Sequence, residues 1–284
     1  MTDVTPGMAV ADGRSEPVDL VRVLRQTYLF RDLPPSDLEL LTARATVREL
    51  RPSEAVYRVG DRATHLFVVA AGHLKEGLTT EDGEEYVDEI FGPGGVAGEP
   101  GLFAVERDRV VGLTAMTPAV VLAIDRDDLI DFLVRHPAVL LRIMEGLASD
   151  TRAMVENIVA FGFRTVRQRV AMKLCELAAI HGELGSRNSI RFRVRVSQGI
   201  LAGLVAARRE NVNRAVASLR TAGLIASERD DLIILDLAGL RAVAGPDRIG
   251  HRRNQGPTDH RSAIPSVDHD DRSGHDRLAR RGAG

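Results

Sequence analysis

Residues 196–225 read VSQGILAGLVAARRENVNRAVASLRTAGLI. Ser197 has the side-chain oxygen that caps a helix, and Ile200, Leu201, Leu204 and Val205 recur at the spacing of one helical face. A turn at Ala206–Ala207 separates this helix from a second, whose inward face is Val212, Ala215, Val216 and Leu219. On the second helix Arg209, Glu210, Asn213 and Arg214 fall within about 140° of one face. Gly223-Leu224-Ile225 ends it, and 226–237 reads as a hairpin, or wing. Two short helices followed by a hairpin form a winged helix-turn-helix, whose second helix offers its first turns to base edges in the major groove. The chemistry fits. Arginine bonds guanine O6 and N7 together, glutamate accepts from cytosine N4, and asparagine pairs with adenine. Ser197, Gln198 and Arg208 flank these readers and complete the candidate DNA-contacting set. The plain alternative is a solvated charged face with no partner.

Charge is divided along the chain in the same sense. Residues 1–162 carry 16 Lys+Arg against 27 Asp+Glu, a net of −11, whereas 163–244 carry 14 against 7, a net of +7. The last segment, 245–284, adds +2, with 8 against 6. Such a chain is expected to present one end to a polyanion. No apolar run is long enough to span a bilayer and the N-terminus lacks a signal-peptide layout, so a cytoplasmic location without membrane partners is expected. The single cysteine, Cys175, excludes an intrachain disulfide and a multi-cysteine metal or iron–sulfur site, and reads as a small buried hydrophobe.

Upstream, residues 137–162 carry Leu140, Met144, Leu147, Thr151, Met154, Ile158 and Phe161 at alternating intervals of 4 and 3. This a/d seam suits a partner helix and predicts a homodimer; the alternative is a helix lying against its own domain. Residues 164–182 predict another helix, with Val166, Val170, Leu174, Leu177 and Ala178 inward, and the alternating 191–196 predicts a strand. From 47 to 125 short apolar runs end at turn signals: 56–59, 66–70, 74–80 before Asp82-Gly83, 86–91, and 120–124. That rhythm predicts an antiparallel barrel or sandwich. A short helix is expected from Asp19, and another with Ser36 as its cap. Residues 1–18 and 245–284 read as disordered, and a fixed metal site at Asp268-His269-Asp270-Asp271 is not expected.

Taken in order, these parts resemble the Crp/Fnr (catabolite activator-like) family of transcription regulators over residues 28–243. Arg209-Glu210-Asn211-Val212-Asn213-Arg214 matches the family's Arg-Glu-x-x-x-Arg, with Ala206 at the usual turn glycine and Arg208 at the usual capping serine. Gly98-Glu99-Pro100-Gly101-Leu102-Phe103, with Arg109 beyond it, matches the phosphate-binding cassette. The resemblance implies an α+β protein. Its parts are an unstructured 1–18, a cyclic-nucleotide-binding-like β-barrel (jelly roll) over 19–134, a dimerisation helix over 135–162, a winged helix-turn-helix over 163–244, and a disordered tail. It implies a ligand set of Gly98, Glu99, Arg109, Val110, Thr151 and Met154. There the carboxylate takes a ribose 2′-OH and the guanidinium a cyclic phosphate. Purely structurally, Glu99 and Arg109 form an ion pair instead. Val110 stands where the family has a hydroxyl, and Met154 and Val155 stand where it contacts adenine, with Thr151 one turn earlier as a substitute.

Cyclic AMP is the candidate effector, and another small ligand or a ligand-independent barrel remain alternatives. No tightly bound cofactor is expected. Partners implied are double-stranded DNA, a second copy, and RNA polymerase. Haem ligation through His65, His73 or His136 competes weakly with surface roles for these residues. An enzyme regulated by a nucleotide-binding barrel is the rival class, but 163–244 holds no nucleophile–base pair and no Gly-rich phosphate loop, so no catalytic residue is nominated.

Overall fold

The computed structural model describes residues 8–9, 18–228 and 231–245. Strands β1 (Met8–Ala9) and β2 (Val18–Asp19) pair antiparallel, which corrects the expectation of an unstructured 1–18 at those positions. The rest of that segment, and 246–284 with its His/Asp cluster, lie outside the described residues. Helix α1 (Leu20–Gln26) starts where the Asp19 carboxylate accepts the Arg22 N–H at 3.0 Å. Helix α2 (Pro35–Arg44) begins one residue ahead of the expected Ser36 cap. Proline at the first helical position has no N–H to leave unsatisfied and a φ already suited to a helix.

Eight strands follow: β3 (Thr46–Leu50), β4 (Ala55–Tyr57), β5 (His65–Ala71), β6 (Leu74–Thr79), β7 (Glu85–Phe91), β8 (Val96–Ala97), then, after the short helix α3 (Glu99–Phe103), β9 (Gly112–Ala115) and β10 (Ala119–Asp125). They form two antiparallel sheets, ordered β3-β10-β5-β8 and β4-β9-β6-β7, in a double-sheet jelly roll. Phe67, Val69 and Val121 of the first sheet meet Tyr57, Leu74, Phe91 and Leu113 of the second. The other face of the first sheet turns Leu66, Val68, Leu122 and Ile124 towards Leu24, Phe30, Leu38 and the helices after β10. Coverage on both faces explains why β5 and β10 read as continuous apolar runs rather than alternating ones.

Helix α4 (Arg126–Arg135) is capped by Asp125, whose carboxylate accepts the Asp127 N–H at 2.8 Å. At His136-Pro137 the chain breaks into α5 (Pro137–Phe163), a 27-residue helix with two apolar faces. One face, including Val139 and Ile143, packs on the jelly roll. The other stays open, with Met144 at 58%, Met154 at 61% and Ile158 at 63% exposure. The predicted seam is therefore split: Leu147 joins the jelly-roll core, while Leu140, Met144, Met154 and Ile158 face outward.

A capping box at Thr165 and Gln168 opens α6 (Val166–His181). Beyond it lie β11 (Gly182–Leu184), β12 (Ile190–Phe192), α7 (Gln198–Leu204), α8 (Arg209–Thr221), β13 (Ile225–Glu228), β14 (Asp231–Ile234) and α9 (Leu237–Ala244). The strand expected over 191–196 stops at Phe192, where its pairing with β11 and β14 ends, although Val194 and Val196 remain buried. Cys175 is half-buried against this second core. Sheet β11-β12-β14-β13 backs the helices, and Val170, Leu174, Leu201, Val212, Val216 and Leu219 fill the space between them.

This C-terminal unit is docked on β7. Val87 and Ile90 belong to its core, and a Cβ added at Gly203 would lie 2.8 Å from Val87 Cγ2. His181 donates through Nε2 to the Ile90 carbonyl at 3.0 Å, and burial lowers its pKa to about 4. Among the described residues no helix is long and apolar enough to cross a membrane, and no cluster of His, Cys, Asp and Glu could hold a metal ion.

Candidate functional site

A cavity of about 1040 Å³, counting its open mouth, lies between the second sheet, α3 and the α5 helix. Its polar end is built by the turn into α3. Gly98 takes φ +98°, a left-handed conformation that disfavours side chains, and a Cβ there would stand 2.6 Å from Arg109 Nη1. The Arg109 guanidinium, 4% exposed, donates from Nη1 to the Gly98 carbonyl and from Nη2 to the His65 carbonyl, each at 2.7 Å. It stacks 4.2 Å from the centre of the Tyr57 ring, while its buried Nε finds no hydrogen-bond partner. An arginine remains charged in this setting, although burial lowers its pKa.

Glu99 is buried beside it and accepts from the Tyr28 hydroxyl at 2.8 Å. Burial raises its pKa above the usual carboxylate range. The two residues therefore do not form the ion pair that was the structural alternative: each has other partners. A third polar pair lines the wall. The Tyr57 hydroxyl donates to Glu76 Oε1 at 2.5 Å, and burial pushes the Glu76 carboxyl up to about 8 against the opposing effect of that bond.

Glu76 makes stability fall with pH. Its folded pKa exceeds the unfolded value, so its contribution is complete below about 4.5 and is lost as pH rises through about 8. Thermal unfolding at pH 5.5 and 8.5 is expected to show the wild type losing roughly 2 kcal/mol more than Glu76→Gln across that interval. Equal losses would refute the elevated pKa.

Gly98, Glu99, Arg109, Val110 and Met154 all line this one cavity. Val110 is exposed at its rim and brings no hydroxyl. Thr151 is outside it, exposed, with its hydroxyl donating to the Leu147 carbonyl of its own helix at 2.9 Å. Residues the sequence reading did not single out also line it: Tyr57, Glu76, Asp150, Ala153 and Asn157. The helical spacing of Asp150, Ala153, Met154 and Asn157 was the available signal, since one turn of α5 separates each pair three or four apart.

At the opposite end of the chain, the Ser197 hydroxyl accepts the Ile200 N–H at 3.2 Å and starts α7, with Gln198 exposed at its first position. The turn is made by Ala206 at φ +46°, a left-handed position that disfavours a side chain. Helix α8 starts from Arg208 with no side-chain cap. Arg208, Arg209, Glu210, Asn213 and Arg214 are exposed, and none of them forms an ion pair with a described residue. Arg214 donates to the Asn211 side chain, and Arg209 lies beside Gly199 of α7.

Comparison with known proteins assigns both ends. Residues 47–136 match the model of the cyclic nucleotide-binding domain, and 168–243 that of the Crp-like helix-turn-helix domain. The chain is 28% identical over 214 residues to a CRP-like cAMP-activated global transcriptional regulator of Mycobacterium tuberculosis, covering 75% of this chain and 95% of the relative. A solved CRP-family transcriptional regulator from Thermus thermophilus is 26% identical, with a TM-score of 0.56 over 70% of this chain and 97% of its own. The c-di-GMP responsive global regulator CLP of Xanthomonas campestris shares the fold, with 24% identity and a TM-score of 0.62 over 71% of this chain and 99% of its own.

Proposed function

The chain belongs to the Crp/Fnr family of transcription regulators, and from that premise we propose that it is a cytoplasmic, non-enzymatic homodimer whose grip on operator DNA is set by a cyclic nucleotide, cyclic AMP first among them. The observation that carries the ligand reading is Arg109. A buried guanidinium with an unpartnered Nε, held by two carbonyls and a ring at a glycine-lined turn, is preorganised to receive an anion. In this reading Arg109 and the Gly98 turn take the cyclic phosphate, Glu99 takes the ribose 2′-OH, and Met154 packs on the base. Residues 19–134 form the sensor, 135–162 the dimer helix and 163–244 the DNA-binding unit. Arg209, Glu210, Asn213 and Arg214 read bases, while Ser197, Gln198 and Arg208 hold phosphates. RNA polymerase is the further partner.

Helix α5 lines the pocket and is joined to α6 by Arg164 and Thr165 alone, so a ligand touching both walls can bias the spacing of two recognition helices. It does so only by its differential affinity for the two arrangements. A second reading, another small ligand, is favoured by the acidic lining: Glu76, Asp88, Glu89, Glu99 and Asp150 surround one arginine.

The test is operator affinity at fixed salt, with and without saturating cyclic AMP, in wild type and Arg109→Leu. Wild type is expected to tighten on DNA. Arg109→Leu should bind the nucleotide at least ~10-fold more weakly, as for a lost hydrogen bond to a charged group, and show no response. Its DNA affinity without ligand reports whether it still folds. Equal nucleotide binding by the two proteins would refute the cassette. A wild type that binds none yet holds its operator would assign the pocket to another ligand.

A further inference from the structure

We infer that Asn157 determines base specificity in this pocket, its side-chain amide pairing with a donor and an acceptor on the heterocycle of a cyclic nucleotide. The inference rests on the nucleotide reading of the cavity given above. Asn157 lies on the covered face of α5 and is only 7% exposed, yet it contributes to the cavity lining with Glu99 and Arg109. Its amide forms no hydrogen bond with any described residue. The residue is largely packed away, but its amide is reached from the cavity it lines, where a ligand can take the hydrogen bonds that no side chain or carbonyl of the described residues takes.

The neighbours leave that role to Asn157. Along the α5 wall, Ala153 and Met154 offer no conventional hydrogen bond to a base edge, and a carboxylate, as at Asp150, accepts without donating. At the mouth Val110 is aliphatic. Glu99 and Arg109 are committed to the turn beside α3, at the polar end. The amide of Asn157 both donates and accepts, so it matches the 6-amino group and ring nitrogen of adenine, or the O6 and N1–H of guanine, and fixes the base in one orientation. Its placement three residues after Met154 puts it one turn further along the same wall. A second copy of the chain is the less suitable partner, because Asn157 is already buried within one chain and lines the cavity, away from the exposed residues of α5 such as Met144 and Ile158.

The experiment is calorimetric titration of the full-length protein with cyclic AMP, cyclic GMP, and the cyclic monophosphate of unsubstituted purine riboside, which lacks the exocyclic group. Wild type is expected to prefer cyclic AMP or cyclic GMP over the unsubstituted analogue by about 10-fold. Asn157→Leu should lose that preference, weakening cyclic AMP or cyclic GMP more than the analogue, which keeps only the N1 acceptor; Asn157→Ala, with no added bulk, should do the same. A preference that survives in both variants overturns the inference while leaving the nucleotide reading intact. An equal weakening of all three ligands also overturns it, because a purely structural role would act on every ligand alike. Failure of wild type to bind any of the three removes the nucleotide reading itself, and the inference with it.

Discussion

Met144→Asp with Ile158→Asp is expected to turn the protein into a monomer and to weaken operator binding by about 10²–10⁴, the usual gain from joining two binding units. Both side chains are more than half exposed on α5, in line with Leu140, Leu141, Met154, Val155 and Val159. An apolar strip of that extent on a helix ~40 Å long exceeds what a monomer ordinarily leaves in water. Covering a large apolar side chain contributes about 1.5–3 kcal/mol, and the double variant removes two from each protomer and places two charges in the interface. Leu147 lies on the same heptad line but packs into the jelly-roll core, so substituting it would test folding rather than assembly. Sedimentation velocity reads the outcome. A sedimentation coefficient equal to that of wild type would contradict the dimer, as would unchanged operator affinity.

The helix-turn-helix was legible because its signals are local. A cap at Ser197, two apolar faces at helical spacing and a glycine at the end of α8 are all contained in about thirty residues. The jelly roll was legible as a rhythm, but β3, β8 and β9 were missed. β8 and β9 have two and four residues, and they exist because the longer strands β5 and β6 pair with them, information that no local window contains. Helix α9 was not predicted: the wing was read to 237 and nothing was assigned after it, since eight residues of Leu, Ala, Gly, Arg and Val are too short a run to show a helical face until Asp236 is seen capping it. In the pocket, Glu99 and Arg109 stood in a motif of fixed spacing. Asn157 did not, and what makes it notable, an amide on the covered face of α5 that lines the cavity, exists only once α5 is packed on the sheets. Periodicity also found the seam of α5 without showing that Leu147 faces inward while Met144 and Ile158 face out.

Arg209→Ala and Arg214→Ala should each cost ~1–3 kcal/mol for every base pair read, and a symmetric dimer makes each contact twice. Both guanidinium groups are exposed in the first turns of α8, in a segment of the chain with a net charge of +7. No ion pair with a described residue competes for either group. Binding should weaken steeply with salt, because each neutralised phosphate releases counterions. The variants must differ from that general effect. A lost base contact relaxes preference at one position in each half-site and changes affinity for non-specific DNA much less.

The most direct test of the account is to select the protein's own binding site from random DNA, then measure affinity for it and for a scrambled duplex across a salt series. Wild type and both arginine variants are compared. The account predicts a two-fold symmetric site with half-site centres about 34–36 Å apart, favoured at least ~10³-fold by wild type, and a preference that each variant loses at its own base pair. Equal affinity of wild type for the selected and scrambled duplexes, or a uniform loss on both in the variants, would contradict it.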